Sequence, residues 1–169
     1  MLVATFREME SDRRMPVIPF VETRSTAAMA SSRHKPTVVL ADDHGRVLSE
    51  ATMLLRDEFE VVATVGDGAM AVQAVTELRP DVVVLDIGMP GTDGIQAALR
   101  LKALGITPKL VFLTVQLDAD TVEAACAMGA CYVLKARMYS DLSTAIEEAL
   151  AGRLFFSKPL HSHGSPKSI

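Results

Sequence analysis

The chain predicts an α/β fold, a three-layer, doubly wound sandwich around five parallel strands. Three observations carry that expectation. Five short apolar runs recur along the sequence, and none of them alternates cleanly, as expected for strands buried on both faces of a parallel sheet. Between them lie stretches with apolar residues at helical spacing, so that strand and helix alternate with right-handed crossovers. Finally, 169 residues at 49% hydrophobic and 22% charged suit one globular domain with tails.

The elements follow in order. Residues 1–36 carry mixed charges, three prolines and a Ser/Thr/Ala-rich stretch with neither period nor signal-peptide core. Residues 1–35 therefore read as a flexible leader, and Met29 offers an alternative start. Strands are expected at 37–41 (TVVLA), 60–65 (EVVATV), 81–85 (DVVVL), 109–113 (KLVFL) and 131–134 (CYVL). Val47, Ala51, Leu54 and Leu55 mark the first helix; Leu142, Ala145, Ile146, Ala149 and Leu150 mark the last. Ser140 is its expected N-cap and Gly152 its stop. Helices near 68–79, 93–104 and 119–128 complete five β–α units. The domain is placed at 36–157, and 158–169 reads as a flexible tail or linker.

Composition excludes several function classes. A net charge of −4 disfavours phosphate-backbone and membrane-surface binding, and no apolar run reaches transmembrane length. Cys126 and Cys131 fit neither a redox CxxC nor a zinc pair, so both are expected to be buried free thiols in a reducing compartment.

In an open parallel sheet, ligands sit outside the carboxyl ends of the strands. Strand 1 ends there in Asp42-Asp43, strand 3 in Asp86, strand 4 in Thr114 and strand 5 in Lys135; strand 2 ends in Val65-Gly66-Asp67-Gly68, a turn without evident chemistry. Each residue alone has an ordinary reading. An Asp at a strand end often caps the next helix, and a lone Thr or Lys says little. Together they differ, because three clustered acids repel unless a cation joins them. Hard oxygen donors suit Mg²⁺, whereas no His/Cys set for zinc exists. A divalent ion and a lysine remove the repulsion between a carboxylate and an incoming phosphoryl group. The constellation suits acyl-phosphate formation on an aspartate, with Thr114 hydrogen-bonding a phosphoryl oxygen.

The blocks VVLADDHG, VVVLDIGMPGTDG, LVFLTV and GACYVLKA resemble the four signature blocks of the receiver domain of bacterial two-component response regulators. The resemblance spans about residues 36–155. It implies a flavodoxin-like sheet in strand order 2-1-3-4-5, Asp86 as phosphoacceptor and a histidine kinase as phosphodonor. It further implies Mg²⁺ held directly by Asp43 and Asp86, through water by Asp42, and by the backbone carbonyl of Gly88. Thr114 and Lys135 would contact the phosphoryl group, and Tyr132 matches the aromatic switch that follows Thr114. No enzymatic activity beyond autophosphorylation and autodephosphorylation is implied, and the setting is cytoplasmic.

The stretch LKARMYSDLSTAIEEALAGRLFFS lacks the proline that often follows the lysine. It is similar to receivers joined to helix-turn-helix output domains of the nitrate-response and quorum-sensing type. That implies transcription regulation, homodimerisation on phosphorylation, and DNA contact only through an output domain. The chain stops at Ile169, so a stand-alone receiver acting by protein contacts or phosphorelay is the alternative. Val115 departs from the small residue usual after the switch threonine; it would crowd an attacking water. Gly88 offers no side chain to position that water, although Gln116 does.

Other residues are discounted. His44 reads as helix-1 surface, His161 and His163 lie outside periodic elements, and Met53, Met70 and Met128 read as core filler. Three rival functions remain. A phosphohydrolase of the haloacid-dehalogenase type would want a second Asp where Gly88 stands. A degenerate receiver acting as an interaction module would have lost an acid, the threonine or the lysine, and all are present. A DNA-binding regulator known only through its receiver is the third.

Overall fold

The computed structural model describes residues 34–115 and 119–158. Its strands are β1 (Thr37–Ala41), β2 (Glu60–Val65), β3 (Val82–Asp86), β4 (Lys109–Thr114) and β5 (Cys131–Leu134). They form one parallel sheet in the order β2-β1-β3-β4-β5, the order the resemblance implied. Helices α1 (Gly45–Leu55), α2 (Gly68–Leu78), α3 (Gly94–Ala103), α4 (Ala119–Ala127) and α5 (Met138–Leu150) cover both faces. Strands β3 and β4 each run one residue further than expected, so that Asp86 and Thr114 belong to the sheet.

Strand periodicity divides the core in two. Val38, Leu40, Val82, Val84, Val111, Leu113 and Val133 face Ala51, Leu55, Leu142 and Ile146 of α1 and α5. Val39, Val83, Leu85, Phe112 and Tyr132 face Ala71 and Val75 of α2, Ala97, Ala98 and Leu101 of α3, and Ala125 of α4. All five residues of β3, Asp86 included, are buried. Burial on both faces is why the strands read as unbroken apolar runs. The edge strand β2 is the exception, half-exposed along its length.

Local chemistry sets the helix starts. Asp67 caps α2 by accepting from Met70 N at 2.8 Å, and Asp93 caps α3 by accepting from Gln96 N at 2.7 Å. The turn after β2 is therefore a cap. Two glycines permit close approach. A Cβ on Gly94 would lie 2.4 Å from the Asp86 carbonyl oxygen, and one on Gly68 2.3 Å from that of Thr92. Only glycine lets α3 and α2 pack this tightly on the loop after β3.

Three expectations need correction. Ser140 does not cap α5: the helix begins three residues earlier, at Met138 with Arg137 at the N-cap, and the Ser140 hydroxyl turns to Arg137 O and the Asp141 carboxylate. Of the two free thiols, Cys131 is buried and Cys126 is exposed on α4. Met53 and Met70 stand 66% and 51% exposed rather than in the core, because they occupy outward positions on α1 and α2; Met128 does pack against the second cluster. Gly152, at a φ of 74°, ends α5 as expected.

Candidate functional site

The parallel sheet brings its carboxyl-end residues to one edge. Strand β1 hands over to Asp42, whose N–H still donates to Val65 O at 3.1 Å, and Asp42 is only 2% exposed. Asp43 stands further out. Strand β3 ends in Asp86, and the next N–H, of Ile87, donates to Leu113 O at 3.1 Å. Thr114 closes β4, buried beside Leu134 across the β4–β5 register. Lys135 follows β5 at once, opening a 3-10 turn over Lys135–Arg137. Four strands thus supply the five predicted residues, as the topology requires.

Lys135 ties the site together. Its Nζ lies 2.7 Å from Asp42 Oδ2 and 2.9 Å from Asp86 Oδ2. Burial pulls its pKa down, but the two carboxylates outweigh burial and hold the ammonium above the ordinary lysine range. Asp86 Oδ1 accepts from Gly88 N at 3.1 Å, and Asp42 Oδ1 from His44 N at 2.8 Å. Asp42 Oδ2 is buried and makes no hydrogen bond of acceptable geometry. The lysine meets it at close range as an ion pair, which leaves a lone-pair direction open.

One lysine therefore serves two buried carboxylates, with a third close by. Asp42, Asp43, His44 and Asp86 each offer a ligand atom, all within 4.8 Å of one another. Predominantly oxygen donors and an under-satisfied buried carboxylate fit a hard divalent cation. His44, expected merely on the helix-1 surface, is exposed and is the N-cap of α1, but its ring turns onto the acids. Its Nδ1 lies 2.7 Å from Asp43 Oδ1 and 3.2 Å from Asp42 Oδ1.

Tyr132 is fully buried in β5. Its register partner is Phe112, two residues before Thr114, so Tyr132 and Thr114 share a face of the sheet. Val115 is 76% exposed at the rim. Gln116, His161, His163 and Met29 lie outside the described residues.

Sequence reasoning missed a second polar cluster. Asp141, in the first turn of α5, accepts from Arg137 Nε at 2.9 Å, from the Ser140 hydroxyl, and from the Ser157 hydroxyl at 2.6 Å. Burial pushes its pKa up, but the hydrogen bonds from Arg137, Ser140 and Ser157 prevail and bring it down to about 2. Ser157 Oγ also accepts from Leu134 N at 3.2 Å, while Ser157 N donates to Tyr132 O at 2.9 Å and Tyr132 N to Phe155 O at 2.8 Å. The segment after α5 is thereby pinned along the outer edge of β5. The spacing of Asp141 and Ser157 carried no sequence signal, since the pair closes only across the α5–β5 junction.

Comparison with known proteins follows the same lines. The model of the response regulator receiver domain matches residues 38–147. The chain is 38% identical over 116 residues to the transcriptional regulatory protein PdtaR of Mycobacterium tuberculosis, covering 68% of this chain and 56% of that protein. It is 34% identical over 118 residues to the transcriptional regulatory protein LiaR of Bacillus subtilis, covering 68% and 56%. The chain thus spans little more than half the length of these relatives. Among solved structures, a two-component response regulator of the LuxR family from Aurantimonas sp. SI85-9A1 matches with a TM-score of 0.67 at 31% identity, covering 72% of this chain and 89% of that one. Among the described residues no helix is long and apolar enough to cross a membrane. A sheet in the order 2-1-3-4-5, with acids, threonine and lysine at its carboxyl edge, and a family match across most of the described residues give one conclusion: the chain belongs to the response regulator receiver domain family.

Proposed function

We propose that the protein accepts a phosphoryl group on Asp86 from a sensor histidine kinase and passes the resulting change to a transcriptional output. The observation that supports this most directly is the Asp86 carboxylate. It is buried to 3% exposure at a strand end, fixed by Gly88 N and Lys135, and set beside a second buried acid. A carboxylate in that position is held for attack and cannot move its charge away.

The donor set fits Mg²⁺, which Asp43 and Asp86 would hold directly, Asp42 through water and Gly88 through its backbone carbonyl. When bound it neutralises phosphoryl charge and orients the incoming group. The remaining work falls to the chain. An Asp86 carboxylate oxygen forms the new P–O bond as the donor's P–N bond breaks, or its P–O bond with acetyl phosphate. Lys135 shifts its ammonium from the free carboxylate towards the phosphoryl oxygens as charge builds there. Thr114 donates its hydroxyl to another of those oxygens, and Tyr132, on the same face of the sheet, follows Thr114.

The receiver is taken to occupy 36–157, between a leader (1–35) and a tail or linker (158–169). Transcription regulation through an output domain is favoured because the relatives are named transcriptional regulators and are longer than this chain. Dimerisation on phosphorylation would accompany it. A stand-alone receiver working by protein contacts or phosphorelay is the second reading.

The test is chemical. Wild-type protein with Mg²⁺ and acetyl phosphate should gain an acid-labile, hydroxylamine-sensitive label, and Asp86→Asn should gain none. Undiminished labelling of that variant would move the acceptor elsewhere.

A further inference from the structure

We propose that Asp141 and Ser157 are positioning residues for Lys135, clamping the chain on both sides of it and so fixing where its ammonium meets the phosphoryl group. This rests on the reading of Asp86 as phosphoacceptor with Lys135 beside it. Three observations carry the argument.

The clamp closes around one residue. On the near side, Tyr132 N and O pair with the backbone of Phe155 and Ser157 along the outer edge of β5. At Leu134 that backbone ladder gives way to the buried Ser157 hydroxyl, which accepts from Leu134 N at 3.2 Å. On the far side, Arg137 Nε donates to Asp141 Oδ2 at 2.9 Å, and Ser157 Oγ donates to the same oxygen at 2.6 Å. One carboxylate therefore holds both Leu134, through Ser157, and Arg137, with Lys135 between them.

The cluster is not an ordinary helix start. The N-cap of α5 makes no side-chain cap hydrogen bond, and Asp141 turns its oxygens to Arg137, Ser140 and Ser157 instead. With a pKa of about 2, that carboxylate is ionised at neutral pH and only accepts. The Ser157 proton is thus committed to Asp141, which leaves a hydroxyl lone pair for Leu134 N.

Lys135 needs such anchors. It opens a 3-10 turn closed by Met138 N donating to Lys135 O, and hydrogen bonds of that type have poorer geometry than α-helical ones. Its ammonium ends a flexible four-carbon stem, yet it meets Asp42 at 2.7 Å and Asp86 at 2.9 Å. A charge on such a stem is placed only as well as its backbone is. The clamp grips Leu134 and Arg137 rather than the acids, so loosening it should weaken phosphoryl binding without weakening Mg²⁺ binding.

The experiment uses the full chain, with beryllofluoride as phosphoryl probe at saturating Mg²⁺ and neutral pH. Misplacing a reacting group by ~1 Å costs on the order of 100-fold, and the lysine stem absorbs part of that, so Ser157→Ala and Asp141→Ala should each bind the probe about tenfold more weakly. Their Mg²⁺ affinity should match that of wild type. A cluster that only stabilised the fold would lower the folded fraction and leave the affinity of the folded protein unchanged. Labelling by acetyl phosphate then assigns the loss to the lysine. Ser157→Ala should slow labelling about tenfold in the wild-type background but less than about twofold beside Lys135→Met, because residues acting through one group are not additive. Wild-type affinity for beryllofluoride in either variant, or equal slowing in both backgrounds, overturns the proposal and leaves the phosphoacceptor reading intact. If Asp86→Asn labels as wild type does, that reading fails and the proposal with it.

Discussion

Two polar clusters sit at opposite ends of the short path from β5 into α5, and they treat buried carboxylates differently. Around Asp141 both oxygens are occupied: Arg137 reaches them at 2.9 and 3.4 Å, and two serine hydroxyls complete the set. Around Asp42 and Asp86 one ammonium is divided between two carboxylates, and one buried oxygen lacks a hydrogen bond. Both clusters bury negative charge, which is costly unless paired. A complete set of partners fixes a junction. An incomplete one leaves capacity for a cation and a phosphoryl group.

The contrast can be broken experimentally, beginning with the largest effect. Lys135→Met removes the only ammonium between Asp42 and Asp86 among the described residues and should cost about 3 kcal/mol in metal-free buffer. With two acids left facing each other, the variant should bind Mg²⁺ more tightly than wild type, so that at one saturating Mg²⁺ concentration its deficit relative to wild type shrinks by about 1.4 kcal/mol for each tenfold gain in affinity. Urea denaturation with and without Mg²⁺ measures both quantities. Asp141→Ala should cost about 2 kcal/mol through loss of charged hydrogen bonds, and Mg²⁺ should leave that deficit unchanged. Equal rescue of the two variants would erase the distinction.

Acid sharpens it. The Asp141 pKa is lowered from 3.8 to about 2 in the folded protein, so its contribution is complete above about pH 4 and is lost as pH falls towards 2. The stability gap between wild type and Asp141→Asn should therefore narrow across that window. A constant gap in acid denaturation would contradict the assignment. Ser157→Ala should cost about 1 kcal/mol, since it removes the acceptor of Leu134 N. It should also raise amide exchange at Tyr132 and Leu134.

The smallest expected effect is kinetic. Val115 is exposed, so Val115→Ala should leave stability unchanged. Hydrolysis of the phosphoform needs a water in line with the P–O bond, and misplacement by ~1 Å costs on the order of 100-fold. Opening that approach should speed dephosphorylation several-fold. Unchanged or slower phosphate release from donor-free phosphoprotein would remove Val115 from the argument.

Sequence by itself determined the sheet and the location of its chemistry. Unbroken Val and Leu runs require strands buried on both faces, and strand–helix alternation forces the strands parallel. Parallel strands place every terminal residue on one edge, so Asp42, Asp43, Asp86, Thr114 and Lys135 were bound to meet. Tertiary structure decided what depends on distance between elements. It assigned one lysine to two acids, turned the His44 ring onto the acid pair, and showed that Gly94 lies where any Cβ would strike Asp86. It also exposed Met53, Met70 and Cys126, because helical spacing identifies a stripe but not how far a neighbour covers its margins. Asp141 and Ser157 were illegible for a related reason. Hydrogen-bond partners sixteen residues apart leave no periodic trace, and the pair exists only because the chain after α5 folds back along β5.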